Sequence, residues 1–110
     1  MQPDDQAALC KRLAEEIMEW KLLPYNPDTD RGFWAEDGVE FSVFTTDNWK
    51  PYKDIAQAFM VAEKIGGLEL VDVQGKRWKA TFGENYHRAD TPALAICLAA
   101  DAWLKGKWER

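Results

Sequence analysis

The last third of the chain carries the pattern that most restricts the fold. Residues 93–100 read ALAICLAA, and every one of them is apolar. A helix that is apolar around its whole circumference has to be covered on more than one side. Pro92 suits the first turn of such a helix, and Asp90 or Thr91 can cap it. We therefore expect a central helix that runs to Leu104, with other elements packed around it.

Two amphipathic segments predict two further helices. The first spans residues 4–19, where Asp4 or Asp5 can act as the cap and apolar residues recur at helical spacing. The second spans residues 53–65 and is expected to stop at Gly66. The buried stripe predicted for the second helix consists of Ile55, Ala58, Phe59, Ala62 and Ile65.

Alternating apolar and polar residues, together with turn residues, predict two β-hairpins. One spans residues 33–44 around an Asp37-Gly38 turn, and the other spans residues 68–82 around Gln74-Gly75. Segments rich in proline, glycine, asparagine and aspartate connect the predicted elements. They are predicted to be loops, namely residues 22–29, 47–51 and 83–90.

Taken in order, these elements predict an α+β fold with the arrangement α-β-β-α-β-β-α. The 110 residues, of which 46% are hydrophobic, are enough for a single domain (1–110) with one core. Hairpins separated by helices favour a mainly antiparallel sheet with helices packed on its faces. The sequence leaves open whether the two hairpins share one sheet.

Four segments of the chain carry a family resemblance, in the order in which they occur. They are Leu13–Lys21, Asn48–Ile65, Lys76–Gly83 and Arg88–Leu104. Together they resemble the phage ABA sandwich domain family, small proteins of phages and prophages; the DTPALAIC stretch is the most specific part, and residues 23–46 match least. The resemblance implies an α-β-α layered sandwich and a phage or prophage accessory protein. It carries over no activity, cofactor or catalytic residue.

The charge balance bears on partners and location. The formal net charge is −5, and an acidic domain repels the phosphate backbone, which argues against nucleic-acid binding. The N-terminal residues lack the basic and apolar regions of a signal peptide, and the apolar run at 93–100 is too short to span a bilayer. We therefore expect a cytoplasmic protein of the bacterial host that does not bind membranes.

The residues that could do metal or catalytic chemistry are few. Cys10 and Cys97 form no CxxC pair, and His87 is the single histidine, so a zinc site built from these residue types is excluded. We expect two buried, reduced cysteines, and a disulfide between them stays open. No metal, cofactor or enzymatic activity is predicted. The carboxylates near the first hairpin fit no calcium loop and are interpreted as solvated turn residues, namely Asp28, Asp30, Glu36 and Asp37.

The segment before the last helix is the first candidate site. Free N–H groups and the dipole at a helix N-terminus can hold an anion, and Tyr86, His87, Arg88 and Thr91 lie there. Arg88 could bind a phosphate or carboxylate, and Tyr86 could stack on a base. The alternative is a polar loop capped by Thr91 or Asp90, whose negative charge would occupy the place of an anion.

The entrance of the second helix is the second candidate. Aromatic rings beside a lysine can hold a planar ligand or a peptide, and Trp49, Lys50 and Tyr52 offer that chemistry together with Trp34. The alternative is a structural role for Trp49, packed against the helix.

The six tryptophans exceed what a small core buries fully, so exposed ones could form a homodimer or a host-protein contact. Partial burial at the edges of the layers is the alternative.

These observations favour one function and leave an alternative. The favoured one is a non-catalytic protein-binding module that acts on a host or phage protein. The alternative is a protein that binds a small anionic, nucleotide-like ligand near the N-terminus of the last helix, at a homodimer interface. An enzyme ranks third, because no catalytic constellation is visible.

Overall fold

The computed structural model describes residues 2–24, 32–36, 44–74 and 77–108. The helices are α1 (Pro3–Arg12), a π-helical continuation (Leu13–Ile17), α2 (Ile55–Ile65) and α3 (Pro92–Trp108). The strands are β1 (Trp20–Pro24), β2 (Gly32–Glu36), β3 (Phe44–Thr45), β4 (Leu68–Val73), β5 (Arg77–Phe82) and β6 (Asn85–Ala89). The predicted α+β class is confirmed.

The strands form two antiparallel three-stranded sheets within the described residues, each with its strands in chain order. In the first sheet Trp34 of β2 pairs with Phe44 of β3. In the second sheet Ala80 of β5 lies between Leu70 of β4 and His87 of β6. The two predicted hairpins therefore belong to different sheets. The Asp37-Gly38 turn and residues 39–43 of the first hairpin lie outside the described residues.

Two predicted loops contain strands, which is a correction to the predicted order. Trp20–Pro24 pairs with Gly32–Glu36, so the predicted loop at 22–29 begins inside β1; residues 25–29 lie outside the described residues. The predicted loop at 83–90 contains β6, in which only Ala89 is buried. Both are edge strands. β1 ends in a proline next to a polar, proline-containing segment, and β6 carries mostly exposed polar residues, so neither has a clear strand pattern in the sequence. The order is therefore α-βββ-α-βββ-α.

The first helix changes character before it ends. The Met18 N–H donates to the Leu13 carbonyl at 3.0 Å, which is a π-type bond, so helical structure covers most of the predicted span. Glu19 then adopts a φ of 59° and reverses the chain into Trp20 of β1. A non-glycine residue in this left-handed region is uncommon, and it marks the end of the helix here.

The helix caps are only partly those that the sequence predicted. Gln2 occupies the cap position of α1 and makes no side-chain cap bond, whereas Asp4 and Asp5 lie in the first turn, where their charge suits the dipole. Asp54 caps α2, accepting two first-turn N–H groups at 2.9 and 3.2 Å. Thr91, one of the two caps predicted for α3, accepts an N–H from the first turn at 3.2 Å.

The buried face of α2 differs from the predicted stripe. Ile55 and Phe59 are 39% and 43% exposed, whereas Gln57 is only 7% exposed. The Gln57 amide donates to one backbone carbonyl of the preceding loop at 2.8 Å and accepts from one loop N–H at 2.7 Å. Because both ends of its side chain are satisfied, this glutamine can be buried without a desolvation penalty that outweighs its bonds. The buried residues of α2 are Gln57, Ala58, Val61 and Ala62.

The central position predicted for the last helix is confirmed. α3 packs against β5, β6, α2 and α1, and it extends beyond the predicted end to Trp108. Small side chains let the neighbouring elements approach closely. The residues of α3 without exposed surface are Ala95, Ile96, Cys97, Ala99 and Ala100. No helix in the described part of the chain is long and apolar enough to cross a membrane.

Gly66 ends α2 in a conformation that favours glycine. Its φ is 82° and its ψ is 158°, a region that costs a residue with a Cβ about 1–3 kcal/mol. An added Cβ would meet no atom within 4 Å, so any penalty comes from the backbone alone. We expect Gly66→Ala to lower the free energy of unfolding by about 1–2 kcal/mol, measured by chemical denaturation.

Gly106 provides the matched control for that substitution. It lies inside α3, and a Cβ there would be 3.7 Å from the Asn85 Oδ1, an ordinary contact. Alanine favours a helix interior over glycine, so Gly106→Ala should raise the free energy of unfolding by up to about 1 kcal/mol. A similar loss of stability in both variants would show that backbone strain at Gly66 is not the cause.

Candidate binding pocket

A pocket of about 510 Å³ lies between α1 and the segment that joins β3 to α2. We call it the α1 pocket. The second candidate site predicted from the sequence lines it in full, because Trp34, Trp49, Lys50 and Tyr52 are all among its walls. α1 supplies the opposite wall, including Ala7, Cys10 and Lys11. The structure therefore brings the four predicted residues together and adds a helix that the prediction did not include.

Trp49 forms the inner wall of the α1 pocket and is a core residue. It is 1% exposed, and its indole Nε1 donates to the Cys10 carbonyl at 3.0 Å. Its ring lies 4.7 Å from that of Trp20, near edge-to-face, and 5.3 Å from that of Phe44. These contacts tie the segment after β3 to α1 and to the first sheet. These contacts support a structural role for Trp49, with α1 and the first sheet as its partners, whereas the alternative named the second helix.

Because Trp34 and Trp49 are buried, less of the predicted interaction surface is accessible to a partner. Trp34 is 4% exposed and Trp49 is 1% exposed, so neither offers a free aromatic face to solvent. The prediction rests on aromatic residues next to Lys50 in the sequence, a pattern that also occurs where a loop is anchored to a core. Lys50 is exposed and Tyr52 is half-buried, and these two keep the accessible part of the surface. Binding at this place stays a prediction.

Backbone hydrogen bonds fix the wall that carries Lys50. The Trp49 N–H donates to the Thr45 carbonyl at 3.1 Å, and the Lys50 N–H donates to the Gln57 amide oxygen at 2.7 Å. The Lys50 carbonyl in turn accepts the N–H groups of Lys53 and Asp54, just before α2, both at 3.0 Å. Pro51 is fully buried. The wall is thus formed before any ligand arrives, which is typical of binding sites.

The thiols near the pocket are unsuited to nucleophilic chemistry. Burial raises the pKa of Cys10 to about 11, although the charge of Lys50 opposes the rise. Burial raises the pKa of Cys97 further, and the proximity of Cys10 adds to it. A thiolate is the reactive form, and both cysteines hold their proton at neutral pH. Both are free and buried in the structure, as predicted.

The first candidate site has a different geometry from the one predicted. Tyr86, His87 and Arg88 are exposed residues of β6 and not members of a loop at the helix entrance. Because side chains alternate along a strand, Tyr86 and Arg88 lie on one face of the sheet and His87 on the other. The Thr91 Oγ1 accepts the Leu94 N–H at 3.2 Å and is engaged in capping α3. Anion binding by this set stays a prediction.

The chain resembles known proteins both in sequence and in fold. The sequence profile of the phage ABA sandwich domain family matches residues 11–100. The chain belongs to the phage ABA sandwich domain family. The structure is also similar to the crystal structure of a phage protein from Bacillus cereus, with a TM-score of 0.61 and 19% sequence identity over 96% of this chain and 89% of that chain. At this identity the likeness is one of fold. No curated protein matches the chain.

The family match leaves part of the α1 pocket outside it. The profile begins at Lys11, so the segment after β3 and all of α2 lie inside the match. The first turns of α1, which include the pocket residues Gln6 and Ala7, precede it. Sequence reasoning also missed these two residues. They carry no motif of their own, and only the packing of α1 on Trp49 brings them to the pocket.

The tryptophans of this ABA sandwich domain are mostly interior. Trp20, Trp34 and Trp49 belong to the core, and Trp78 and Trp103 are partly buried against it. These five tryptophans therefore fit the stated alternative, in which tryptophans are buried in the core or at its edge. Among the residues whose burial the structure describes, the exposed large apolar side chains are of other types, namely Leu23, Ile55, Phe59, Val71 and Tyr86.

Metal chemistry finds little support among the described residues. No group of three or more histidine, cysteine, aspartate or glutamate side chains in that part of the chain could hold a metal ion. Glu36 is an exposed residue at the end of β2. The other carboxylates that the sequence groups around the first hairpin, Asp28, Asp30 and Asp37, lie outside the described residues.

Proposed function

We propose that this ABA sandwich domain is a non-catalytic binding module for a protein of the phage or its host. In this proposal the α1 pocket receives an apolar side chain of the partner, flanked by acidic residues. The observation that supports it best is the composition of a preformed pocket. Its walls include Ala7, Leu22 and Trp34, and two ammonium groups accompany them, those of Lys11 and Lys50.

The chemistry of these walls suits recognition by a protein. A desolvated aromatic and aliphatic pocket is where an anchor residue of a partner contributes most of its binding energy. Cations beside such a pocket attract acidic flanking residues and accelerate encounter. Asp47 is the one carboxylate among the pocket residues, against Lys11 and Lys50. The pocket thus favours an apolar segment of negative charge over one of positive charge.

Catalysis at the same place finds no chemical support. The cysteine in the wall, Cys10, is held in its thiol form, and Tyr52 has its pKa raised by burial and by the nearby Cys10. His87 lies on β6 and is not among the residues that line the pocket. A general base needs a titrating group within hydrogen-bond reach of the reacting atom. These observations support binding without turnover as the proposed role.

Charge reversal at the pocket should remove the partner. Lys50→Glu places a carboxylate where acidic flanks are expected, and Lys64→Glu makes the same change at an exposed position of α2 outside the pocket. After cross-linking in host lysate, quantitative mass spectrometry should show at least about ten-fold less partner on Lys50→Glu than on wild type, because like charges repel across the contact. Lys64→Glu should retain the partner.

A steric pair tests the pocket itself. Ala7→Trp fills the α1 pocket from an exposed position, whereas Ala56→Trp adds the same side chain to the exposed surface of α2. Only Ala7→Trp should lose the partner. Equal capture by all variants, or no partner enriched on wild type, would contradict the proposal. A small molecule retained by wild type in native mass spectrometry and lost from Ala7→Trp would assign the pocket to a small ligand instead.

The alternative function, binding of a nucleotide-like anion at the start of α3, is less well supported. The hydroxyl of Thr91 is already engaged, and β6 directs His87 away from Tyr86 and Arg88. Asp90 also lies at this entrance, with a side chain that is 87% exposed. Its negative charge opposes an anion there.

A further inference from the structure

The second sheet presents a face to solvent that differs in charge from the rest of the chain. Its inner face carries Ala80 and Phe82, which are 0% and 1% exposed and pack in the core with α3. The alternate residues point the other way. We call this the outer face, and its members include Glu69, Val71, Arg77, Lys79, Tyr86 and Arg88.

Strand pairing places the cations of the outer face next to one another. Lys79 of β5 is directly opposite Arg88 of β6 and Val71 of β4. Arg77 is two residues from Lys79 along β5, a separation of about 7 Å on the same face. Paired strands are about 5 Å apart, so the three cations form one patch.

Tyr86 is the exposed aromatic of this patch. It is 55% exposed, and the Lys79 Nζ lies 4.7 Å from its ring centroid. It is also two residues from Arg88 along β6, on the same face. An apolar ring that stays accessible beside cations is available for stacking on a planar group.

The charge of the outer face is opposite to that of the protein. The whole chain has a net charge of −5, yet the cations of this surface, Arg77, Lys79 and Arg88, outnumber its carboxylates. These are Glu69 on β4 and Asp90 just past the end of β6. Arg77 approaches Asp90 at 4.0 Å, with side chains 68% and 87% exposed, and such a pair holds its partners weakly. The three cations therefore remain available to a polyanion.

We propose that the outer face binds single-stranded nucleic acid, with a base stacked on Tyr86 and backbone phosphates paired with Arg88, Lys79 and Arg77. A sheet that presents an aromatic ring among cations is suited to unpaired bases, because stacking uses the face of any base. A duplex keeps its bases stacked inside and cannot use the ring. A polyglutamate chain could pair with the cations, but it has no ring that would stack on Tyr86.

The net charge of the chain argues against nucleic-acid binding, and it limits how tightly the outer face can bind a strand. The acidic remainder of the chain repels phosphates, so binding should be weak and strongly dependent on salt. Three phosphate contacts to a single strand predict that log K falls with log salt at a slope of about −2. The proposal is independent of the α1 pocket, whose lining includes none of these residues.

The test is fluorescence anisotropy of a labelled oligothymidylate with the full chain at low salt. We expect a dissociation constant of about 10–100 µM, in the range of non-specific binding. Tyr86→Ala should weaken binding roughly ten-fold and Tyr86→Phe should not, because stacking needs the ring and not the hydroxyl. Arg88→Ala should reduce the salt slope by about 0.7, the contribution of one phosphate contact.

A comparison of two charge-reversal variants and a competition experiment could contradict the proposal. Arg88→Glu should weaken binding far more than Lys50→Glu, which makes the same charge change at the α1 pocket. An equal loss in both would mean that only total charge matters and would overturn the proposal. So would the absence of saturable binding by wild type at low salt, or equal competition by polyglutamate, which would assign the face to acidic proteins. Matched thermal unfolding of all variants confirms that each is folded.

Discussion

Replacing Trp49 by alanine should lower the free energy of unfolding by about 3–5 kcal/mol, the largest loss that we expect from a single substitution. The side chain is 1% exposed and packs edge-to-face on Trp20 at 4.7 Å. Its removal would leave a cavity between the first sheet and α1, and it would break the bond from the indole to the Cys10 carbonyl. Chemical denaturation followed by circular dichroism measures the loss.

Trp49→Phe keeps an aromatic ring but removes the indole N–H, so it distinguishes the contribution of packing from that of the hydrogen bond. The Cys10 carbonyl also accepts the Leu13 N–H within the helix, so it keeps a partner when the indole is lost. We therefore expect Trp49→Phe to cost about 1–2 kcal/mol, well below the alanine variant. Phe59→Ala is the control, since Phe59 is 43% exposed and should cost less than about 1 kcal/mol. Equal losses in Trp49→Phe and Trp49→Ala would mean that ring packing contributes little.

The parts of the fold that the sequence predicts well are those with a strong local pattern. The all-apolar run at 93–100 predicts a central helix, and six of its eight residues are buried, with Leu94 and Leu98 partly so. In β5 the alternation in RWKATF leaves Ala80 and Phe82 buried on one face, as the pattern indicates. Both signals lie within a few consecutive residues and depend on no distant partner.

The parts that it predicts poorly depend on contacts between distant residues. The rotation of α2 follows from Gln57, whose side chain bonds to loop backbone at Asn48 and Lys50. Hydrophobic periodicity alone favours Phe59 over a glutamine at a buried position. β6 reads as a loop because its exposed residues are polar, and only pairing with β5 makes it a strand.

For the candidate site, too, the residues close together in the sequence were predictable and the distant wall was not. The sequence indicated Trp49, Lys50 and Tyr52 because an aromatic and basic cluster at a helix entrance is uncommon. It gave no indication of α1 as the opposite wall, since the bond from Trp49 to Cys10 joins residues that are 39 positions apart. A pocket between two such segments is a property of packing. The residues of one segment alone therefore do not predict the volume or the depth of the pocket.

A second large effect is expected at Asp101, which joins α3 to α1. Its carboxylate accepts two bonds from the Arg12 guanidinium at 2.9 and 3.1 Å, and the Lys105 Nζ lies 3.2 Å away. Asp101 is 7% exposed, whereas the Arg12 side chain is 37% exposed and can regain water. Asp101→Asn should therefore cost about 2–3 kcal/mol, less than the loss of one partner of a fully buried pair.

The same residue should make stability depend on pH. Burial by itself would raise the pKa of Asp101, but the bonds and charge of Arg12, and then of Lys105, outweigh it and lower the pKa. Because the folded protein favours the carboxylate, this stabilisation is complete above the unfolded pKa of about 3.9 and is lost as pH falls through the lower folded value. The stability difference between wild type and Asp101→Asn should thus be constant above about pH 5 and shrink below about pH 4. Asp72→Asn, at an exposed position of β4, is the control and should show neither effect. A difference that stays constant down to the acid transition would mean that Arg12 and Lys105 do not stabilise the charged form.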